Sequence, residues 1–413
     1  MRRSQNRSVL LIVENCSVPF DQRVWQEART LHGAGYQVSV IAPKEQDQPL
    51  YELVAGIHIY RHPALPQGDG WRGYAMEYTA ALFWETIMAW RVFLRQGFDV
   101  VHVSNPPDTL FLVGGLFKLL FGRRLVFDHH DICPELYEAK FSRRGIGYTA
   151  LCRLEKWSIR AADAVISTNE SYRAIAIERA GKDPSRVHVV RNGPDLDRVR
   201  KQPPVPSLKR GRSCLVGYVG VIGLQEGLRY LINAASYIIH ERRRTDMHFA
   251  VVGGGTDLPN VIALAERTGV SDHFTFTGRI SDSALMEYLN TADICVNPDE
   301  YNEMNDRSTM IKVMEYMALG KPIVQFAMTE GRVSAGNASL YAAPNDAEDF
   351  ACKLIELADD PVKRKTMGRI GRMRIEQELS WLHQAPKLLA AYSALWPLPG
   401  SAFDDGVPVR EPL

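Results

Sequence analysis

Short apolar, β-branched runs alternate with longer amphipathic runs along most of this 413-residue chain, and the alternation limits the folds open to it. SVLLIVE (8–14) reads as a strand buried on both faces, and FDQRVWQEARTLHGAG (20–35) as the helix after it, closed by glycine. QVSVIA (37–42), GIHIYRH (56–62), DVVHVS (99–104), RLVFDHHD (124–131) and VHVVRNG (187–193) continue the strands. Helices fall between them, including a long one from about Tyr74 to Arg95 and an apolar one over LFLVGGLFKLLFG. Strands that are apolar throughout, each followed by a helix, build parallel sheets covered on both faces. The expected class is α/β, doubly wound.

The pattern breaks once. RVRKQPPVPSLKRGR (198–212) carries three prolines and no apolar periodicity, which marks a linker. Alternation restarts at CLVGYVG (214–220) and continues through HFAVVGGG (248–255), FTFTG (274–278), ADICVNP (292–298) and KPIVQF (321–326). Two domains follow, 1–197 and 213–379, then a helix at 380–396 expected to pack back on the first domain and a loose tail at 397–413. Ligands of such sheets sit beyond the carboxyl ends of the strands. Polar and glycine residues gather at those ends, as in SNPPDT, DHHD, STNES, RNGPD, GGGTD and NPDEYNEMND, so two facing sheets predict a cleft between the domains.

Composition narrows the function. A net charge of +1 offers no excess of cations for neutralising nucleic-acid phosphates. The six cysteines lie far apart without a CxxC pair, which suits small buried residues in a reducing compartment better than metal ligands. MRRSQNR runs straight into VLLIVE, and Lys118 interrupts Leu110 to Leu120, so neither a secretory signal nor a spanning helix is expected. The expected location is the cytoplasm, at most against the inner face of the plasma membrane.

Three stretches carry chemistry. GYVGVIGLQEG (217–227) is a strand–loop–helix whose glycines admit a phosphate to backbone N–H groups, and equally make a tight turn without ligand. His129, His130 and Asp131 end a strand; neighbours there point to opposite faces, which speaks against a shared metal and for one histidine at the cleft mouth, or merely capping it. Ser308 and Thr309 suit a helix start, with Lys312 and Glu315 on the face of Ser308. Such an N-terminus can hold a nucleoside diphosphate, Lys312 on phosphate and Glu315 on the ribose hydroxyls. An amphipathic helix with a Lys312–Glu315 surface pair explains the pattern as well.

At this point the chain resembles glycosyltransferase family 4. NDRSTMIKVMEYMALGKPIV is the most specific match, with PFDQRVWQEARTL, VISTNES, VVRNGPD, GYVGVIGLQEGL, FAVVGGG and FTGRI in support, over residues 8–395. The resemblance implies the GT-B fold, two Rossmann-like domains facing across a cleft. The first domain would take the acceptor and the second the nucleotide sugar. It also implies a retaining transferase without metal or cofactor beyond the nucleoside diphosphate sugar itself. Carried over, Glu315 binds the donor ribose and His130 lies beside the donor sugar. Ser308, Thr309 and Met310 meet the sugar and diphosphate through amides, while Gly220, Val221 and Gly223 form the turn near the diphosphate. Gly254, at the next strand end, is a further donor-binding candidate, and Arg279 and Ile280 flank the base.

Three positions depart from the family pattern. Arg307 stands where an acid is expected, and Val221 and Glu226 stand where Arg and Lys are common. Asp306 is then the candidate contact for a sugar hydroxyl, and Lys312 the replacement cation that stabilises the leaving group. These departures look like those of a bacterial subgroup that assembles polysaccharides and glycolipids. Pro19, Arg23, Asn105 and Asp131 are the acceptor candidates. Trp25, Arg23, Trp84, Trp90, Arg91, Arg95, Lys118, Arg123 and Arg124 suit a lipid-linked saccharide at a membrane surface, or else simple helix packing. Two rival readings use the same donor site: a sugar-nucleotide epimerase and a non-catalytic partner subunit.

Overall fold

The computed structural model describes residues 7–45, 47–63, 70–141 and 143–396; the tail expected over 397–413 lies outside them. The first sheet holds β1 (Ser8–Ile12), β2 (Gln37–Pro43), β3 (Tyr51–Val54), β4 (Ile57–His62), β5 (Val100–Ser104), β6 (Arg124–His129), β7 (Ala164–Ser167) and β8 (Val187–Val189), in the order β3-β4-β2-β1-β5-β6-β7-β8. The second holds β9 (Cys214–Val219), β10 (Met247–Val252), β11 (Phe274–Phe276), β12 (Ile294–Asn297), β13 (Ile323–Phe326) and β14 (Ser339–Ala342), in the order β11-β10-β9-β12-β13-β14. Both orders reverse beside the first strand of their sheet, the topological switch at which α/β sheets open a crevice.

Two-sided burial explains why these strands are apolar throughout. In β1, Val9 and Leu11 face the cluster shared with α1 (Gln22–Gly33), whereas Leu10 and Ile12 face the opposite cluster. That second layer is built by α2 (Gly70–Arg95), α3 (Phe111–Phe121) and, beyond α4 (Cys133–Phe141), by α5 (Ile146–Ala161), through Ala89, Val92, Val113, Phe117 and Ile159. The C-terminal helix Trp381–Ser393 returns to the first sheet. Its Leu388, Ala391 and Tyr392 complete the α1 layer, and Trp381 Nε1 donates to Thr30 Oγ1 at 2.8 Å. Burying a leucine such as Leu388 contributes about 1.5–3 kcal/mol.

Two strands escape the alternation argument. β3 runs antiparallel to β4 through a two-residue turn, Ala55 and Gly56, both at positive φ. It is an edge strand with alternate residues exposed, so it presents no continuous apolar run. β14 is the opposite edge of the second sheet and is half-buried. The proline-rich segment is no free tether either. Val199 is fully buried, Gln202 N donates to Asn290 Oδ1 and Val205 N donates to Thr291 Oγ1, which fasten it along the second sheet's helices.

Candidate active site

The loops after the strands of both sheets enclose a cleft of 560 Å³. From the first sheet it is lined by His130, Asp131, Thr168, Tyr172 and Asn192; from the second by Gly220, Val221, Gln225, Glu226, Asp299, Lys312 and Glu315, among others. The second-sheet wall depends on close backbone approach. A Cβ on Gly253 would meet Gly220 O at 1.9 Å, and one on Gly227 would meet Pro298 O at 2.2 Å. These glycines let the loops after β9, β10 and β12 nest together.

His130 leaves the end of β6 in a turn clamped by Asn105. Asn105 Oδ1 accepts from His130 N at 2.7 Å and from Asp131 N at 3.1 Å, and its Nδ2 donates to Asp131 O at 2.6 Å. His130 Nε2 lies 2.6 Å from Asp128 Oδ2. Arg23 Nε reaches the same nitrogen at 2.8 Å, so Nε2 is engaged beneath the cleft and Nδ1 is left for a ligand. Asp128 in turn takes a two-pronged bond from Arg23, Nε to Oδ2 at 3.0 Å and Nη2 to Oδ1 at 2.8 Å. Burial opposes the charge on Asp128, but Arg23 and His130 override it and hold the carboxyl well below its usual range. Glu27, buried beside it, is pushed well above its usual range by burial and by Asp128.

Glu27, His102 and Asp128 lie close enough to suggest a metal site. Arg23 fills that space, with Nε 3.3 Å from Glu27 Oε1 and 3.0 Å from Asp128 Oδ2. The fixed guanidinium takes the place a cation would need.

On the facing wall, the helix Ile311–Ala318 opens at Met310 with no side chain capping its N-terminus. Its first-turn amides and the positive end of its dipole point out of the helix start. Lys312 Nζ donates to Asp299 Oδ1 at 2.6 Å and lies 4.8 Å from the centre of the Tyr218 ring. Glu315 is buried and held by the Arg198 guanidinium. Burial raises the Glu315 carboxyl above its usual range and Arg198 opposes that rise; burial likewise raises Asp299 and Glu226 against Lys312. Lys312 and Glu315 therefore have separate partners, which removes the surface-pair reading.

Ser308 and Thr309 do not start the helix. Ser308 ends the short helix Glu303–Arg307; its Oγ donates to Met304 O at 2.6 Å and sits 2.9 Å from Tyr172 Oη. Thr309 Oγ1 accepts from Asn169 Nδ2 at 3.1 Å, and that amide also donates to Arg307 O at 2.8 Å. Both hydroxyls bind the two halves together at the cleft floor.

Ser308, Thr309 and Met310 still line the cleft, with His130, Asp131, Gly220, Val221, Lys312 and Glu315. Other sequence candidates stand elsewhere. Asp306 accepts from Thr329 N at 2.8 Å and Thr329 Oγ1 at 3.0 Å, so its carboxylate is turned to the start of the helix Thr329–Ala335 rather than to a sugar. Arg23 is buried beneath His130, also donating to Val190 O and Asn192 Oδ1, and Asn105 is fully buried in its clamp. Neither is free to contact an acceptor. Pro19 O takes only a long bond from Gln22, beyond the cleft wall. Gly223 N donates to Glu226 Oε2, and Gly254 O accepts from Ile222 N. Arg279 stacks 4.7 Å over Phe20, while Ile280 packs under the second sheet. Trp25 packs in the α1 layer, and Trp90 packs on Phe117 and Phe121.

Asn192, Thr168, Tyr172, Asp299 and Arg198 were not singled out from sequence. Thr168 and Asn192 lie in the polar strand-end segments STNES and RNGPD, the one signal that pointed to them.

Residues 22–198 match the family described as Glycosyltransferase Family 4, and residues 213–360 that described as Glycosyl transferases group 1. The chain is 30% identical over 312 residues to an alpha-maltose-1-phosphate synthase of Mycolicibacterium smegmatis, covering 68% of this chain and 76% of that one. It is 26% identical to a 2-deoxystreptamine glucosyltransferase of Streptomyces kanamyceticus, covering 70% and 77%. Among solved structures, a sucrose-phosphate synthase of Thermosynechococcus elongatus superposes with a TM-score of 0.78 at 19% identity, covering 94% and 99%. HepE of Anabaena, in complex with UDP-glucose, gives 0.69 at 15% identity over 94% and 99%.

Proposed function

We propose, from the premise that this chain belongs to glycosyltransferase family 4, that it moves a hexose from a nucleoside diphosphate sugar to an acceptor hydroxyl with retention of anomeric configuration. Glycosyl transfer from a nucleotide-sugar donor is the family's activity; retention, the roles below and the acceptor are our reading. The observation that carries it is the meeting of His130 and Glu315, from opposite sheets, on one cleft that the open helix start at Met310 also lines.

The diphosphate would lie at that helix start, where free amides, the helix dipole and Lys312 stabilise the charge that grows on the leaving group. Glu315 would accept from the vicinal ribose hydroxyls, exchanging Arg198 for them. His130 Nδ1, aimed by the Asp128 and Arg23 contacts at Nε2, would hydrogen-bond a sugar hydroxyl as the ring gains oxocarbenium character. The acceptor hydroxyl would attack from the leaving-group face and give its proton to the departing β-phosphate, with no enzyme nucleophile and no metal in the step. Asp131, at the first-sheet wall, is the remaining acceptor contact. The acceptor class we favour is a lipid-linked saccharide in cell-surface polysaccharide or glycolipid assembly.

Incubation with UDP-, GDP- and dTDP-sugars tests this reading, starting with UDP-glucose because HepE is described with it. Donor turnover to free nucleoside diphosphate, with the sugar transferred or hydrolysed at retained configuration, is the expected result. Isomerisation of the donor would make the protein an epimerase. Binding without turnover of any donor would make it a non-catalytic subunit.

A further inference from the structure

Helix α2 is apolar on two opposite sides. Ala89 and Val92 turn to the sheet, and Ala81 is buried as well. Met76, Phe83, Ile87 and Leu94, spaced seven, four and seven residues apart, are exposed. At about 100° per residue these four fall within about 40° of one another, on a solvent-facing line about 27 Å long. α3 lies in the same layer, with Phe117 and Phe121 against Trp90 and Phe93 of α2. Its outer side carries Leu112, Leu119 and Leu120, and Leu119 is 83% exposed. Beyond it, α5 exposes Trp157. An apolar surface of this extent on a water-soluble layer marks a place of contact.

Charge identifies the partner. Arg91, Arg95 and Arg153 are exposed around these side chains, with Lys156 half-buried beside Trp157 and Lys118, Arg123 and Arg124 at the far rim. The rim cations share Asp99 and Asp163, whereas Arg91, Arg95 and Arg153 make no ion pair among the described residues. Among the described side chains of the three helices, the only carboxylates, Glu85 and Glu155, are buried. Among the described residues, no helix is long and apolar enough to cross a membrane. Exposed apolar side chains interleaved with unopposed cations fit a plane of anionic lipid headgroups, the apolar tips entering the acyl boundary.

We propose that the outer face of α2, α3 and α5 seats the enzyme on an anionic membrane surface, α2 lying in the headgroup plane. The surface is separate from the donor cleft. It deepens the lipid-linked acceptor reading by naming the side presented to the membrane.

The test is co-sedimentation of the full chain with vesicles of phosphatidylcholine alone and with 30 mol % phosphatidylglycerol, chosen as the probe composition, beside donor hydrolysis in vesicle-free buffer. Binding should be at least tenfold tighter to the anionic vesicles and fall with salt. Phe83→Ser/Ile87→Ser/Leu94→Ser should lower it at least tenfold with hydrolysis unchanged, and Arg91→Gln/Arg95→Gln should remove most of the preference for anionic lipid. Equal binding to both vesicles, or binding that survives the triple substitution, overturns the proposal. So does a concentration-dependent dimer that the same triple variant abolishes, which would assign the face to a second copy of the chain. Vesicle binding without donor hydrolysis would leave the face standing and remove the transferase reading instead.

Discussion

Lys312 Nζ stands 2.6 Å from Asp299 Oδ1, and solvent scarcely reaches that carboxylate. The lysine thus has two tasks, neutralising a buried acid and facing the donor phosphates. Lys312→Ala leaves Asp299 buried and unpaired, which should lower stability by about 3 kcal/mol in urea denaturation. It should also weaken donor binding at least tenfold. The double variant Lys312→Ala/Asp299→Asn should regain most of the stability and none of the affinity. Recovery of both would mean that Lys312 acts only through Asp299.

The His130 ring is held by Asp128 and Arg23, which keep both bonds to each other without it. His130→Ala should therefore fold normally, with an unfolding free energy within about 1 kcal/mol of the parent. Transfer should fall at least tenfold, chiefly in kcat, because the proposed contact strengthens as the sugar gains positive charge. Near-normal turnover by this variant would remove His130 from the reaction.

These two residues were legible in the sequence because each sits in a local pattern, a strand end and an amphipathic helix. The distant partners of other cleft residues were not. Arg198 meets Glu315 across 117 residues, and Tyr172 meets Ser308 across 136. Ser308 and Thr309 looked like helix caps, but tertiary partners took their hydroxyls and the helix opened at Met310 instead. The strands were legible where burial on both faces made them apolar throughout. β3 and β14 were missed because β3 has alternate residues exposed and β14 is a four-residue, half-buried strand that opens on serine, so neither carries a long apolar run.

Both Glu315 oxygens accept from the vicinal ribose hydroxyls only when the carboxyl is ionised, and burial, opposed by Arg198, raises it above the ordinary Glu value of 4.5. Below that raised value the enzyme must lose a proton to bind donor. Affinity should therefore be full at neutral pH and begin to fall, as pH drops, before an ordinary glutamate would protonate. The decline should steepen to about tenfold per pH unit. Glu226 and Asp299 titrate in the same cleft, so the control is Glu315→Gln. It should bind donor at least tenfold more weakly at neutral pH and show a flatter acid limb. An unchanged acid limb would assign the titration to a different carboxylate.

Arg307 occupies a position where the family resemblance predicts an acid, yet its side chain turns away from the cleft toward Glu135 at 3.8 Å and Glu303 at 3.6 Å. What it gives the cleft floor is its carbonyl, which accepts from Asn169. Arg307→Ala keeps that carbonyl and loses two long, partly exposed ion pairs, worth less than about 1 kcal/mol together. Transfer should stay within threefold of the parent. A tenfold loss would show that the guanidinium reaches the donor.

Tyr392, on the C-terminal helix, extends this control to the far side of the first sheet. Its Oη lies 2.7 Å from His102 Nδ1, and His102 Nε2 lies 3.6 Å from Asp128 Oδ2. Burial lowers the His102 titration, so the ring is neutral and carries one proton. With ionised Asp128 facing Nε2, that proton belongs on Nε2, and Tyr392 donates to Nδ1. Tyr392→Phe keeps the packing but orphans Nδ1 in the core, at a cost of about 1–3 kcal/mol. The imidazole can then change tautomer and turn a lone pair toward Asp128, loosening the carboxylate that orients His130. The expected result is a several-fold fall in kcat at unchanged donor KM, together with a shift of the His102 ring nitrogens in the NMR spectrum. Lost stability with an unchanged kcat and unshifted ring signals would reduce Tyr392 to a packing residue.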